Sequence, residues 1–255
     1  DLTAFAAGFA ERLDAEAIGV CACPPLSVPY ADGFFAGDVI EQDRLHIEGE
    51  MQALEARFRA ALATRARDWR SAHMPAADFA AGNARAADII IAASSEDGPP
   101  GYADRRINLG DLVMRAGRPV LVVPPATRAL DLDCALVGWK DSREARRAIS
   151  DALPLLGKAG RVVVVTLASG EGLAEARFAL EDVVHWLDRH GVVAEPLVTA
   201  ATGSDSDQLA RIADEQGAGL FVGGAYGKSR LREWVLGGVT NDLLMRPGRP
   251  TLLSH

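Results

Sequence analysis

Lysine is nearly absent from this chain of 255 residues: Lys140, Lys158 and Lys228 are the only three, all in the second half. Cysteine is equally sparse, at Cys21, Cys23 and Cys134. An odd, small count argues against a disulfide scaffold and suits a reducing compartment. Positive charge is in deficit, with 27 Lys and Arg against 35 Asp and Glu, a net charge of −8. That balance argues against a nucleic-acid partner, which needs a basic stripe. No apolar run approaches the ~20 residues of a membrane span, and the first residues read as the inside of a helix rather than a signal peptide. The expectation is a cytoplasmic protein with no membrane attachment.

Metal and catalytic signatures are thin as well. Cys21-x-Cys23 would place two thiols on one face of a strand, but no His/Cys pair follows to complete a metal site. The histidines, His46, His73, His185, His190 and His255, fall in no HExxH spacing. His185 and His190 flank a helix end, where an exposed or capping role suffices. No GxSxG nucleophile elbow occurs. Asp141 and Ser142 read as caps of the helix that follows them. The sequence gives no reason to expect an enzyme; slow ATP hydrolysis would need a carboxylate near the terminal phosphate.

What the chain does contain is a repeat. Asp111–Pro119 (DLVMRAGRP) and Asp242–Pro250 (DLLMRPGRP) agree at all but two positions, with an offset of 131 residues from Asp111 to Asp242. The same offset lays Ala87–Ile91 on Ala218–Val222 without a gap. The chain reads as one unit written twice, with domains at 1–126 and 127–255 and a linker at Pro124–Asp133. Short apolar runs predict strands at Ile18–Cys23, Asp88–Ala92, Pro119–Val123, Ala135–Trp139, Arg161–Leu167, Leu220–Gly223 and Pro250–Leu253. Continuous apolar runs suit strands buried on both faces of a parallel sheet. Helical patterns lie between them. Asp38–Trp69 reads as one long helix with Leu45, Met51, Leu54, Phe58 and Leu62 on one side. Glu171–His190 carries Phe178, Val183, Val184 and Leu187 near one stripe. Ser206–Gln216 turns Leu209 and Ile212 inward. Pro24–Gly37 reads as a loop in which Phe34 and Phe35 either pack over the sheet or serve a functional loop. The alternation implies doubly wound α/β units.

The two copies open differently. In the second, a strand (Ala135–Trp139) precedes the helix Glu144–Leu156. In the first, the helix Leu2–Leu13 leads directly into Ile18–Cys23. A doubly wound sheet without its first strand has open edges, so a strand equivalent to Cys134–Arg143 is expected ahead of residue 1.

The segment richest in chemistry follows the strand at Leu220. It runs Gly224-Ala225-Tyr226-Gly227, nine residues, then Gly237-Gly238-Val239-Thr240. Gly224 and Gly227 permit a tight turn and close approach of a ligand to the backbone. Gly237 and Gly238 precede a helix expected over about Thr240–Met245, whose free N–H groups make an anion site worth up to ~2 kcal/mol. Together they would cradle a phosphate. The spacing is neither a Walker loop nor the GxGxxG fingerprint. Lys228 follows Gly227 and is either a phosphate contact or part of a solvated face with Arg230. Leu231, Trp234 and Val235 in the spacer read as core.

On this spacing the chain resembles the universal stress protein family, whose nucleotide-binding members carry G-x2-G-x9-G-[ST] after the fourth strand. Here the match is Gly224, Gly227 and Gly237, with Gly238 at the hydroxyl position and Val239-Thr240 as the following pair. The resemblance implies tandem Rossmann-like, adenine nucleotide alpha hydrolase-like domains related by a pseudo-two-fold. It implies that they pair within the chain through Pro119–Val123 and Pro250–Leu253. Whether the chain forms a homodimer as well is left open. It also implies an adenine nucleotide (ATP, ADP or AMP) in the second domain, with no metal beyond a magnesium carried by the nucleotide.

Two departures bear on the nucleotide. Family members place an Asp-Gly-Ser run after the first strand to hold the adenosine end; here Trp139-Lys140-Asp141-Ser142 puts Lys140 at the Asp position. Lys140 cannot accept a hydrogen bond but could meet a phosphate as a point charge. Trp139 is either a packed strand-end residue or a stacking surface for a base. In the first copy Gly224, Gly227, Gly237 and Gly238 become Ala93, Glu96, Arg106 and Ile107. Glu96 would put negative charge where phosphates would sit, so the first domain reads as a structural partner. The expected function is a stress-response regulator that binds a nucleotide in its second domain. The alternative is an interaction or scaffold protein whose glycines serve loop geometry alone.

Overall fold

The computed structural model describes residues 2–26, 36–94, 105–125, 127–225 and 248–255. In the first half, α1 (Leu2–Leu13), β1 (Ala17–Ala22), α2 (Ala36–Leu62), β2 (Ala66–Ala72), α3 (Ala76–Asn83), β3 (Ile90–Ala93), α4 (Leu109–Ala116) and β4 (Val120–Val123) alternate. In the second half they are β5 (Ala135–Gly138), α5 (Arg143–Leu156), β6 (Val162–Ala168), α6 (Leu173–Asp188), β7 (Ala194–Ala200), α7 (Asp205–Glu215), β8 (Leu220–Gly224) and β9 (Thr251–Ser254). The fold is α/β, built on parallel strands with helical crossovers.

One seven-stranded sheet, ordered β3-β4-β9-β8-β5-β6-β7, runs through both halves. All its pairs are parallel except β4 against β9, where Val120 faces Leu253 and Leu121 faces Leu252. These joint residues are fully buried. Phe5 and Phe9 of α1 belong to the same apolar cluster as Leu121, Leu252 and the inner face of α5. Strands β1 and β2 form a separate parallel pair.

Side-chain caps fix the starts of α4 and α5. Ser142 Oγ accepts from Ala145 N at 3.2 Å to start α5. Asn108 Oδ1 accepts from Asp111 N at 3.0 Å to start α4, which stops at Gly117 in the left-handed region (φ 60°). Both satisfy orphan N–H groups or release the chain from the helix.

Several expectations need correction. The helix expected over Asp38–Trp69 ends at Leu62; Ala63 turns to φ 47°, and the chain continues into β2, paired along β1. The segment 66–72 carries Arg67, Asp68, Arg70 and Ser71, so its strand character comes from its partner and not from apolar alternation. In α2 the inward residues are Ile47, Met51, Phe58 and Leu62, whereas Leu45 and Leu54 are exposed. In α6 the buried stripe is Leu180, Val183 and Leu187, and Phe178 is 69% exposed. Strand β7 escaped the sequence reading because it lies at the sheet edge and carries Glu195 and Pro196, residues an edge tolerates. Strand β5 stops at Gly138, one residue before Trp139. Phe34, Phe35 and the segment Leu231, Trp234 and Val235 lie outside the described residues.

Candidate functional site at the ends of β5 and β8

Within the second half, β5 sits between β8 and β6 in register, with Gly138 opposite Gly223 and Val165. The chain leaves β5 through α5 towards β6, and reaches β8 on the other side through α7. Crossovers therefore depart in opposite directions from β5 and β8. At such a switch point a crevice opens beyond the carboxyl ends of the strands, the usual ligand position in this architecture. Trp139-Lys140-Asp141 leaves the end of β5, and Gly224-Ala225 leaves the end of β8. The structure thus brings Trp139, Lys140, Asp141 and Gly224 together at the carboxyl ends of two neighbouring central strands. Gly227, Lys228, Gly237, Gly238, Val239 and Thr240 lie outside the described residues.

Each of the four has a definite setting. The backbone of Trp139 is clamped to β6: its N–H donates to Val165 O at 2.7 Å, and its carbonyl accepts from Thr166 Oγ1 at 2.6 Å. Its ring packs against the main apolar cluster, while Nε1 is buried without a partner. Lys140 is exposed. Asp141 is exposed too and accepts from Arg146 at 2.5 and 3.1 Å. Its charge is therefore already answered by a residue one turn into α5.

Gly224 has a role the sequence did not reveal. A Cβ on it would lie 2.6 Å from Ala145 N and from Glu144 C, and 2.9 Å from Glu144 Cβ. The space that glycine leaves is taken by the first turn of α5. Close packing of helix on strand, rather than approach of a ligand, accounts for this glycine. Gly138 and Gly223 serve similarly on their own account: the ring of Phe221 lies 2.8 and 2.9 Å from where their Cβ atoms would be.

Two further residues join the site that sequence reasoning missed. Glu144 is buried at 2% exposure, with Oε2 unpartnered and Oε1 3.1 Å from Arg143 Nη2. Burial pushes its carboxyl up. Its own backbone N–H, the Ser142 hydroxyl and the Arg143 charge outweigh that and hold it below the usual carboxylate range. Ser254, the register partner of Gly224 on β9, is also buried with an unpartnered hydroxyl. Paired residues of neighbouring strands project to one face, so Ser254 lies on the α5 side with Glu144. An acid early in a capped helix looks like dipole complementation, and nothing in the sequence marks it as buried.

A nucleotide meets a mixed reception from these groups. Lys140, Arg143 and Arg146 are exposed around the start of α5, which suits phosphate. The carboxylate that would hold a ribose is replaced by Lys140, and Asp141 is engaged. Buried Trp139 Nε1 and Glu144 Oε2 offer one donor and one acceptor next to the crevice. The described residues fit the anionic end of such a ligand better than its nucleoside end. Among them no cluster of three or more His, Cys, Asp or Glu residues could hold a metal, and no helix is long and apolar enough to cross a membrane.

Comparison with known proteins agrees with this architecture. No protein-family model matches the chain. The universal stress protein MJ0577 of Methanocaldococcus jannaschii is 25% identical over 79 residues, 31% of this chain and 48% of that protein. The chain thus spans about half the length of the curated relative it matches. A universal stress protein of Archaeoglobus fulgidus superposes with a TM-score of 0.66 at 14% identity, covering 92% of this chain and 85% of its own. The chain shares the fold of the universal stress proteins over most of its length and is similar in sequence to one of them over part of it. A functionally unknown protein of Pseudomonas aeruginosa, PA1789, shares the fold over 96% of this chain and 94% of its own, with a TM-score of 0.56 at 15% identity. In both cases the likeness in fold runs through the two halves together.

Proposed function

We propose that this chain is a tandem universal stress protein, a regulatory binder that takes an adenine nucleotide in its second domain, residues 127–255, and carries a first domain, residues 1–126, as a structural partner. The observation that supports it most is the switch point: Lys140 and Gly224 converge at the carboxyl ends of β5 and β8, and Gly224 opens the Gly224-x2-Gly227-x9-Gly237 spacing. In this reading Lys140 and Lys228 meet phosphate oxygens as point charges, the backbone around Gly227, Gly237, Gly238, Val239 and Thr240 supplies N–H donors, and Trp139 borders the base. Magnesium would enter only with the nucleotide. The first domain has Ala93 and Glu96 where the glycines would stand, which leaves the ligand to the second.

Titration calorimetry with ATP, ADP and AMP tests the reading, with ATP expected to bind most tightly because the cations answer its phosphates. Gly227→Glu, which copies Glu96 of the first domain, should abolish the heat, and Lys140→Ala should weaken ATP by roughly five- to tenfold, about 1 kcal/mol or more. No heat from folded protein with any of the three overturns it.

A second reading has its own support: Gly224 is explained by helix packing and Lys140 replaces the ribose-binding acid. These favour an interaction or scaffold protein of the same family. Binding of a protein partner at the same crevice, with nucleotides silent, would identify it.

A further inference from the structure

Three buried polar atoms without partners lie in one row across the carboxyl ends of β5, β8 and β9. Gly138 faces Gly223 in register and Gly224 faces Ser254, so Trp139, one place beyond Gly138, stands beside Gly224 and then Ser254. Neighbouring strands lie about 4.8 Å apart, and the middle place of the row has no side chain of its own. Glu144 covers it from α5: its Cβ lies 2.9 Å from where a Cβ on Gly224 would stand. Trp139 Nε1, Glu144 Oε2 and Ser254 Oγ are each buried and unpartnered. Across the row this gives a donor, a carboxylate acceptor and a hydroxyl that does either.

Glu144 is only 2% exposed, yet its Oε1 meets Arg143 Nε and Nη2, both at 3.1 Å, on a side chain that is 64% exposed. The carboxylate is therefore one movable side chain away from the crevice, and a rotamer change of Arg143 uncovers it. Its own backbone N–H, the Ser142 hydroxyl and Arg143 hold its carboxyl below the usual range, so it is ionised at neutral pH. A buried ionised oxygen is costly to leave without a donor. An ionised phosphate offers acceptors alone and is repelled there. A pair of hydroxyls donates to Oε2 and accepts from Trp139 Nε1 or Ser254 Oγ. Lys140, the residue after Trp139, is exposed at the same strand end and suits the phosphate instead.

We propose that Glu144 is a specificity-determining residue that accepts a hydrogen bond from a sugar hydroxyl of the ligand, and that the Arg143–Glu144 ion pair opens on binding. Arg143 turns to the phosphates and Glu144 to the sugar. The acid that position 140 lacks is supplied four residues on, from the wall of the crevice. An ion pair divided in this way selects a ligand that carries phosphate and hydroxyl together over one that carries either alone. The inference rests on the nucleotide reading above and names what that site distinguishes.

Titration calorimetry with three probes tests it. The parent chain should bind ATP about tenfold or more tightly than 2′,3′-dideoxy-ATP, which lacks the sugar hydroxyls, because a hydrogen bond to a charged group is lost. In Glu144→Gln that ratio should fall to about twofold or less. Inorganic tripolyphosphate should bind the same variant roughly threefold more tightly, since a buried negative charge is gone and Arg143 is released. A purely structural loss at the start of α5 would weaken every probe together and keep the ratio. Equal affinity of the parent for ATP and dideoxy-ATP overturns this inference and leaves the nucleotide reading standing, and that comparison needs no variant. An unchanged ratio in folded Glu144→Gln overturns it too. Tripolyphosphate that binds the variant no more tightly overturns the opening of the ion pair. No heat from the folded parent with either nucleotide overturns the nucleotide reading, and this inference with it.

Discussion

Replacing Gly224 with alanine separates the two roles a glycine could have at the end of β8. The new Cβ would sit 2.6 Å from Ala145 N and from Glu144 C. Both atoms are backbone, so no rotamer change relieves the overlap. The first turn of α5 would have to retreat by roughly 1 Å to reach ordinary van der Waals separation. Overpacking of this kind costs about 1–3 kcal/mol. The retreat also strains the cap in which Ser142 Oγ accepts from Ala145 N, worth about 1 kcal/mol. The sum is about 2–4 kcal/mol. For a chain of this size that lowers Tm by roughly 4–16 °C. Urea denaturation followed by far-UV circular dichroism measures it, with Gly224→Ser as a second variant expected to fall in the same range. A change below about 0.5 kcal/mol with weakened nucleotide binding would refute the packing argument, and would return Gly224 to a ligand-facing role.

Other expectations follow from the same geometry. Leu252→Ala removes a fully buried side chain at the antiparallel joint opposite Leu121, so it should cost about 2–5 kcal/mol in urea denaturation; a near-neutral result would mean the joint is not packed as described. Asp43 is held below the usual carboxylate range by the hydrogen bond from Arg105 at 2.5 Å. A lowered carboxyl contributes stability that is complete above its unfolded pKa of about 3.9 and lost as pH falls through its folded value. Asp43→Asn should therefore be less stable than the parent at pH 7, with the gap narrowing below about pH 4; a gap that is constant with pH would contradict the assignment. Burial pushes the thiols of Cys21, Cys23 and Cys134 up. Iodoacetamide at pH 8 should then alkylate all three more slowly than a free cysteine, as mass spectrometry can follow, and a rate equal to that of free cysteine at any of them would count against it.

His190 illustrates how an unremarkable reading can be sufficient. Its Nδ1 lies 2.8 Å from Trp186 O and its ring lies against that of Trp186, tilted by 38° with centroids 4.1 Å apart. Both contacts are local to the end of α6, in keeping with a role at the helix terminus.

Much of this molecule was written in one dimension. The seven apolar runs became strands within a residue or two of their expected limits, and in β4, β5 and β8 the run is continuous because both faces are buried. Ser142 starts α5 by a bond to the residue three places on, the capping role expected of it, whereas the like role of Asn108 in α4 was seen only in the structure. The repeat around Gly117 and Gly248 announced two related halves. Tertiary structure decided what depends on partners far along the chain. Strand β2 exists because β1 lies beside it, and β7 because an edge tolerates Glu195 and Pro196. Phe178 points outward although the helical stripe was expected to hold it. The purpose of Gly224 is visible only with α5 laid against it, and the burial of Glu144 and Ser254 only with β8 and β9 side by side. A sequence states which residue can bend, cap or pack, but the neighbour that uses this capacity is chosen by contacts separated by tens of residues.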